Sequence, residues 1–117
     1  WEVAPQSFEW LLNWVAEQTD GLPLYISENG MAGPDQIQAG TVEDPWRIDY
    51  LAAHIAAMRT AMQDGANIKG YTVWSLLDNF EWALGYDKRF GIVHVDYETL
   101  ERTPKASWHA LKAALTR

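Results

Sequence analysis

The sequence predicts an α/β fold with parallel strands, and three observations carry that prediction. Two short β-prone segments, Leu24 to Ser27 and about Ile68 to Ser75, are bounded by glycine, proline or polar residues. Between them lies a stretch with apolar residues at helical spacing. Strands joined through a helix pair in parallel, because a direct turn cannot bring them alongside in the same direction.

The elements follow in order. Pro5 suits the first turn of a helix, and Phe8, Leu11, Leu12 and Val15 give that helix one apolar face. Gly21 and Pro23 end it, and the strand from Leu24 follows. Residues 29–43 hold three glycines, one proline and little periodicity, which predicts a long loop. Asp44-Pro45 is a helix start, with the carboxylate as cap. Ile48, Leu51, Ile55, Met58 and Met62 form its expected buried stripe, closed by Gly65. After the second strand an irregular loop runs to Lys88. Gly91 to Asp96 then alternates as the first arm of a hairpin turning near Tyr97 to Leu100. Thr103-Pro104 is expected to cap a last helix whose core side carries Trp108, Leu111 and Leu115.

A length of 117 residues suffices for one small domain, 1–117, but falls far short of the roughly 250 residues of a (β/α)8 barrel. The chain opens on Trp1 rather than Met, so it reads as a segment of a larger protein. A formal net charge of −7 argues against nucleic acid or an anionic membrane surface as partner, since both select a basic face. No stretch approaches the roughly 20 apolar residues of a membrane span. Cysteine is absent, which excludes a disulfide framework, a thiolate metal site and a cysteine nucleophile, and fits a reducing, cytoplasmic-type compartment. Seven tryptophans are many for this length; they serve either as large core fillers or as flat platforms for sugar rings.

The run Tyr25-Ile26-Ser27-Glu28-Asn29-Gly30 places one carboxylate where an apolar strand stops and a glycine turn begins. That end of a strand is where α/β folds keep their chemistry. Alone, such a glutamate is more often a solvated loop residue. A second stretch, Gly70-Tyr71-Thr72-Val73-Trp74-Ser75 followed by Leu76-Leu77-Asp78-Asn79-Phe80-Glu81-Trp82, shifts the balance. Together with Trp1-Glu2-Val3-Ala4-Pro5, Asp49-Tyr50-Leu51, Lys88-Arg89-Phe90-Gly91-Ile92-Val93 and Arg102-Thr103-Pro104-Lys105, these runs resemble the C-terminal part of glycoside hydrolase family 1, the β-glucosidase family. The resemblance covers essentially the whole chain. It implies that the two strands are the seventh and eighth of a (β/α)8 barrel left incomplete here, whose remainder must come from elsewhere.

The family's chemistry is retaining glycoside hydrolysis, in which two carboxylates about 5–5.5 Å apart divide the roles of nucleophile and acid/base. The resemblance implies Glu28 as the nucleophile. It implies Glu81 and Trp82 as the grip on the non-reducing sugar, Trp74 as the floor of that subsite with Phe90 nearby, and Trp1 on the leaving-group side. A carboxylate can accept bonds from two neighbouring sugar hydroxyls, and an indole adds an apolar face and one N–H donor. Acidic Glu81 disfavours a phosphorylated sugar. The resemblance also implies a cis peptide between Trp74 and Ser75. The family's acid/base lies in an Asn-Glu-Pro motif, which this chain lacks, so the 117 residues alone are expected to be inactive. The expected partners are a small β-glucoside or oligosaccharide and the remainder of the barrel. A non-catalytic sugar-binding or barrel-assembly module is the alternative. His54, His94 and His109 have no metal-like spacing, no cofactor is implied, and Lys88-Arg89 is assigned no catalytic role.

Overall fold

The computed structural model describes residues 2–116. Its order is α1 (Pro5–Gln18), β1 (Leu24–Asn29), α2 (Pro45–Gln63), β2 (Ile68–Val73), a 3-10 turn (Trp82–Leu84), β3 (Val93–Val95), β4 (Arg102–Pro104) and α3 (Ala106–Leu115). β1 and β2 pair in parallel, and β3 and β4 form a separate antiparallel hairpin. Among the described residues each strand has one ladder neighbour, so no barrel closes. No described helix is long and apolar enough to cross a membrane.

Two clusters make the core. Leu12 of α1, Ile26 of β1, Ala61 of α2, Ala66 and Ile68 of β2 pack together, with Phe8, Met58 and Tyr71 against them. Leu51, Ile92 and Val93 form the second, flanked by Tyr50, Val73, Leu77, Trp108 and Leu111. Strands of a parallel sheet are normally covered on both faces. Here Ile26 is buried, but Tyr25 is 71% exposed, and Ser27 and Glu28 are exposed as well. One face of the sheet is therefore uncovered.

The predicted helix α2 is present, but its buried side is Arg47, Leu51, His54, Ala57 and Ala61 rather than the stripe through Met62, which is 45% exposed. Ala61 packs into the core with Leu12 of α1, Ile26 and Ile68, while the longer Ile55 and Met58 are only partly buried. In α1 Leu12 is buried and Leu11 is exposed, and in α3 Leu115 is 76% exposed. The predicted caps also change. Asp44 precedes α2 but its side chain makes no capping bond to that helix's backbone. Its carboxylate instead accepts from the backbone N–H (2.8 Å) and hydroxyl (2.6 Å) of Ser107, so it satisfies the first turn of α3. Thr103 and Pro104, expected to cap α3, belong to β4, and Lys105 is the cap position. Within the predicted loop 29–43, Gly33 bridges to Arg89 and Gln38 to Thr41.

Candidate active site

β1 reaches the site through a bulge. Ile26 lies opposite Tyr71 and Asn29 opposite Val73, so three steps on β1 match two on β2, with Ser27 and Glu28 in the irregular segment. A bulge of this kind re-aims the side chains it carries. The strand tips are then pinned together: the Trp74 N–H donates to the Asn29 carbonyl at 2.9 Å. A Cβ on Gly30 would lie 1.6 Å from the Trp74 carbonyl oxygen, a distance no side chain tolerates. Only glycine fits there, and the reason is close approach of two backbones rather than a left-handed turn. The peptide between Trp74 and Ser75 is cis.

Beyond Ser75 the chain folds back over the strand ends. The Ser75 N–H donates to the Phe90 carbonyl at 3.1 Å, and the Ile92 N–H to the Ser75 carbonyl at 2.9 Å, which sets Phe90 beside Trp74. A tight turn holds Glu81: its N–H donates to the Gly85 carbonyl at 2.7 Å. The result is an open cleft of about 340 Å³ lined by Glu28, Asn29, Gly30, Tyr50, Trp74, Glu81 and Phe90. Four of the residues singled out in the sequence, Glu28, Trp74, Glu81 and Phe90, thus share one cavity. Trp82 does not line it and is 81% exposed. Trp1 lies outside the described residues.

Below the cleft sits a buried, charge-balanced cluster that sequence reasoning did not anticipate. Arg47 donates to Asp35 at 2.7 Å, to Asp44, and to the Arg89 carbonyl at 2.9 Å. Lys105 donates to Asp35 and, at 2.8 Å, to Asp78. Asp78 also accepts from Arg89 at 2.7 Å and from the Gly91 N–H at 2.9 Å. Three carboxylates and three cations therefore tie the loop after β1, the start of α2, the loop after β2 and the start of α3 into one knot. Phe90 lies between two residues, Arg89 and Gly91, that Asp78 holds directly. Gly33 is required beside the knot, since a Cβ would fall 2.7 Å from Asp35 Oδ1. Arg89 also donates to the Val95 carbonyl at 2.9 Å, tying the loop after β2 to β3.

The histidines differ in setting. His54 is buried, and its Nδ1 is 2.8 Å from the Tyr50 carbonyl. His94 is buried in β3 with Nδ1 lacking a hydrogen-bond partner. Burial, reinforced by the nearby Arg89 cation, pushes its pKa below the usual histidine value. His109 is exposed. Among the described residues no group of three or more His, Cys, Asp or Glu side chains could hold a metal ion. The cleft residues missed in the sequence are Asn29 and Tyr50. Asn29 adjoins Glu28 within the quoted motif, whereas no local signal in the helix around Tyr50 points at the strand ends.

Comparison with known proteins accounts for this arrangement. Residues 1–117 match the sequence profile of the family described as Glycosyl hydrolase family 1. The chain is 52% identical over 113 residues to a 1,4-beta-D-glucan glucohydrolase of Thermotoga neapolitana, covering 94% of this chain and 26% of that protein. Beta-glucosidase A of Thermotoga maritima is 51% identical, with 94% of this chain and 25% of the relative covered. A solved structure of a family 1 β-glucosidase from Thermotoga maritima in complex with isofagomine lactam superposes with a TM-score of 0.92 at 50% identity, covering 97% of this chain and 27% of that one. The chain spans about a quarter of the length of these relatives, and its α/β architecture is part of a (β/α)8 barrel. This chain belongs to glycosyl hydrolase family 1.

Proposed function

We propose that this chain supplies the nucleophile and the sugar-gripping wall of a retaining β-glycosidase of the β-glucosidase type, acting on terminal non-reducing β-linked sugars. The observation that carries the reading is the meeting of Glu28, Glu81, Trp74 and Phe90 in one cleft at the ends of two parallel strands. In this reading Glu28 attacks the anomeric carbon as the glycosidic C–O bond breaks, giving a covalent glycosyl-enzyme that water then hydrolyses. Glu81 accepts bonds from the outer hydroxyls of the sugar, and Trp74 and Phe90 offer it apolar faces. Trp82 adds an indole to the grip on the sugar, and Trp1 has its role on the leaving-group side.

The acid/base carboxylate comes from the preceding part of the barrel, since no Asn-Glu-Pro occurs in these residues. The 117 residues alone therefore do not hydrolyse glycosides at an enzymatic rate. The uncovered face of β1 supports a second reading, a module whose role is assembly with the remaining strands.

The test joins this chain to the preceding barrel segments of the Thermotoga maritima β-glucosidase and assays a chromogenic β-glucoside. Hydrolysis that falls to background in the Glu28→Gln variant supports the enzyme reading. Sugar binding without turnover, or association without either, supports the module.

A further inference from the structure

A bulge takes residues out of the ladder, so the strand alone does not fix where Glu28 points. Ser27 and Glu28 sit in that irregular segment, and both are exposed. The next residue, Asn29, is by contrast held on three sides. Its carbonyl accepts from the Trp74 N–H at 2.9 Å. Its side-chain Oδ1 accepts from the Tyr71 hydroxyl at 2.8 Å, and its Nδ2 donates to the Tyr50 hydroxyl at 3.2 Å. Tyr71 belongs to β2 and Tyr50 to α2, so the amide ties the bulged tip to two separate elements. Tyr50 is itself anchored, its ring stacked on His54 at 3.8 Å between centroids.

We infer that Asn29 is a positioning residue for Glu28, clamping the bulged end of β1 between the hydroxyls of Tyr71 and Tyr50. The inference rests on the reading of Glu28 as nucleophile. The chemistry of the clamp suits the task. Burial raises the pKa of both phenols, so each stays protonated and able to hydrogen-bond across the pH range in which a glycosidase works. Attack on an anomeric carbon depends on the direction and reach of the carboxylate, and a misplacement near 1 Å costs on the order of 100-fold in rate. Asn29 and Tyr50 line the same cleft as Glu81 and Phe90, whereas Tyr71 stands behind Asn29 and outside that lining, so Tyr71→Phe loosens the clamp while the cleft wall stays in place.

The test uses the completed barrel described above with Asn29→Ala and the milder Tyr71→Phe, which removes one hydroxyl and keeps the ring. The expected result is a kcat lowered about 100-fold in Asn29→Ala and about 10-fold in Tyr71→Phe. In Tyr71→Phe, which leaves the cleft lining intact, KM and inhibition by glucose change less than about twofold. A kcat within about twofold of the parent in both variants would overturn the inference. So would a rise in KM at unchanged kcat, or a loss of rate that only mirrors a lost thermal transition. A parent barrel as active with Glu28→Gln as without it would instead overturn the nucleophile reading, and this inference with it.

Discussion

Between Asp78 and Lys105 the chain pairs its buried charges from within, whereas along the outer sides of β1 and β2 it leaves backbone groups open. The first region buries Asp78, Lys105 and, across the cluster, Asp35, Asp44 and Arg47, each paired with an opposite charge. The second exposes Tyr25 and Glu28, and each strand has a single ladder partner among the described residues. A buried charge that loses its partner is costly, so the first region holds one arrangement of its loops. An unpaired sheet edge is a template for another strand, so the second is finished only by what docks on it. The loops that carry Trp74, Glu81 and Phe90 are thus set by this chain, and the remaining walls of the cleft are not.

The largest effect is expected where the first region is broken. Asp78→Ala leaves Lys105 with only the Asp35 carboxylate and removes the carboxylate partner of Arg89, and it also strips the Gly91 N–H of its acceptor. Removing one partner of a buried pair costs about 3–5 kcal/mol. Urea denaturation of the completed barrel should show that loss, and a drop under about 1 kcal/mol would mean the cluster is solvated rather than structural.

A smaller stability change but a clear loss of rate is expected at the strand tips. In Gly30→Ala the new methyl collides with the Trp74 carbonyl, so the two tips must part. Glycoside hydrolysis should fall by on the order of 100-fold while the core of Leu12, Ile26 and Ala61 stays intact. Unchanged kcat in this variant would show that the tips are not held as the bonds between them indicate.

How much of this was legible in the sequence depended on range. The strand at Leu24 and the helix beginning at Pro45 announced themselves through local apolar pattern and breakers. Glu28 and Glu81 stood out through the motifs around them. The stripe on α2 was misplaced because alanines score as weak core residues, yet here Ala57 and Ala61 are buried. Asp44 looked like an ordinary helix cap, since nothing local says that Ser107, 63 positions on, will claim its carboxylate. The charge cluster joins residues up to 70 positions apart, such as Asp35 and Lys105, and no periodicity encodes such a meeting. Trp82 and Glu81 are neighbours in sequence, but at the 3-10 turn Glu81 lines the cleft while Trp82 stays outside its lining, 81% exposed.

The smallest effect concerns pH. Burial, and after it the nearby Arg89 cation, holds the folded pKa of His94 below the ordinary 6.5. The unfolded chain therefore takes up a proton first as pH falls. Stability from this group is fully present above about 6.5 and declines as pH drops below that value, until the folded state also protonates. His94→Gln should flatten this part of the stability-pH curve, and thermal melts across it would show the change. An identical slope in parent and variant would assign the acid sensitivity to other groups.

The claim on which the account turns is that Glu28 forms the covalent bond to sugar. Incubating the completed barrel with a 2-deoxy-2-fluoro-β-glucoside bearing a good leaving group slows release of the glycosyl-enzyme, and peptide mass spectrometry then locates the label. The account predicts the sugar on Glu28, with no label in Glu28→Gln. A stable label on any other carboxylate, Glu81 included, would contradict it.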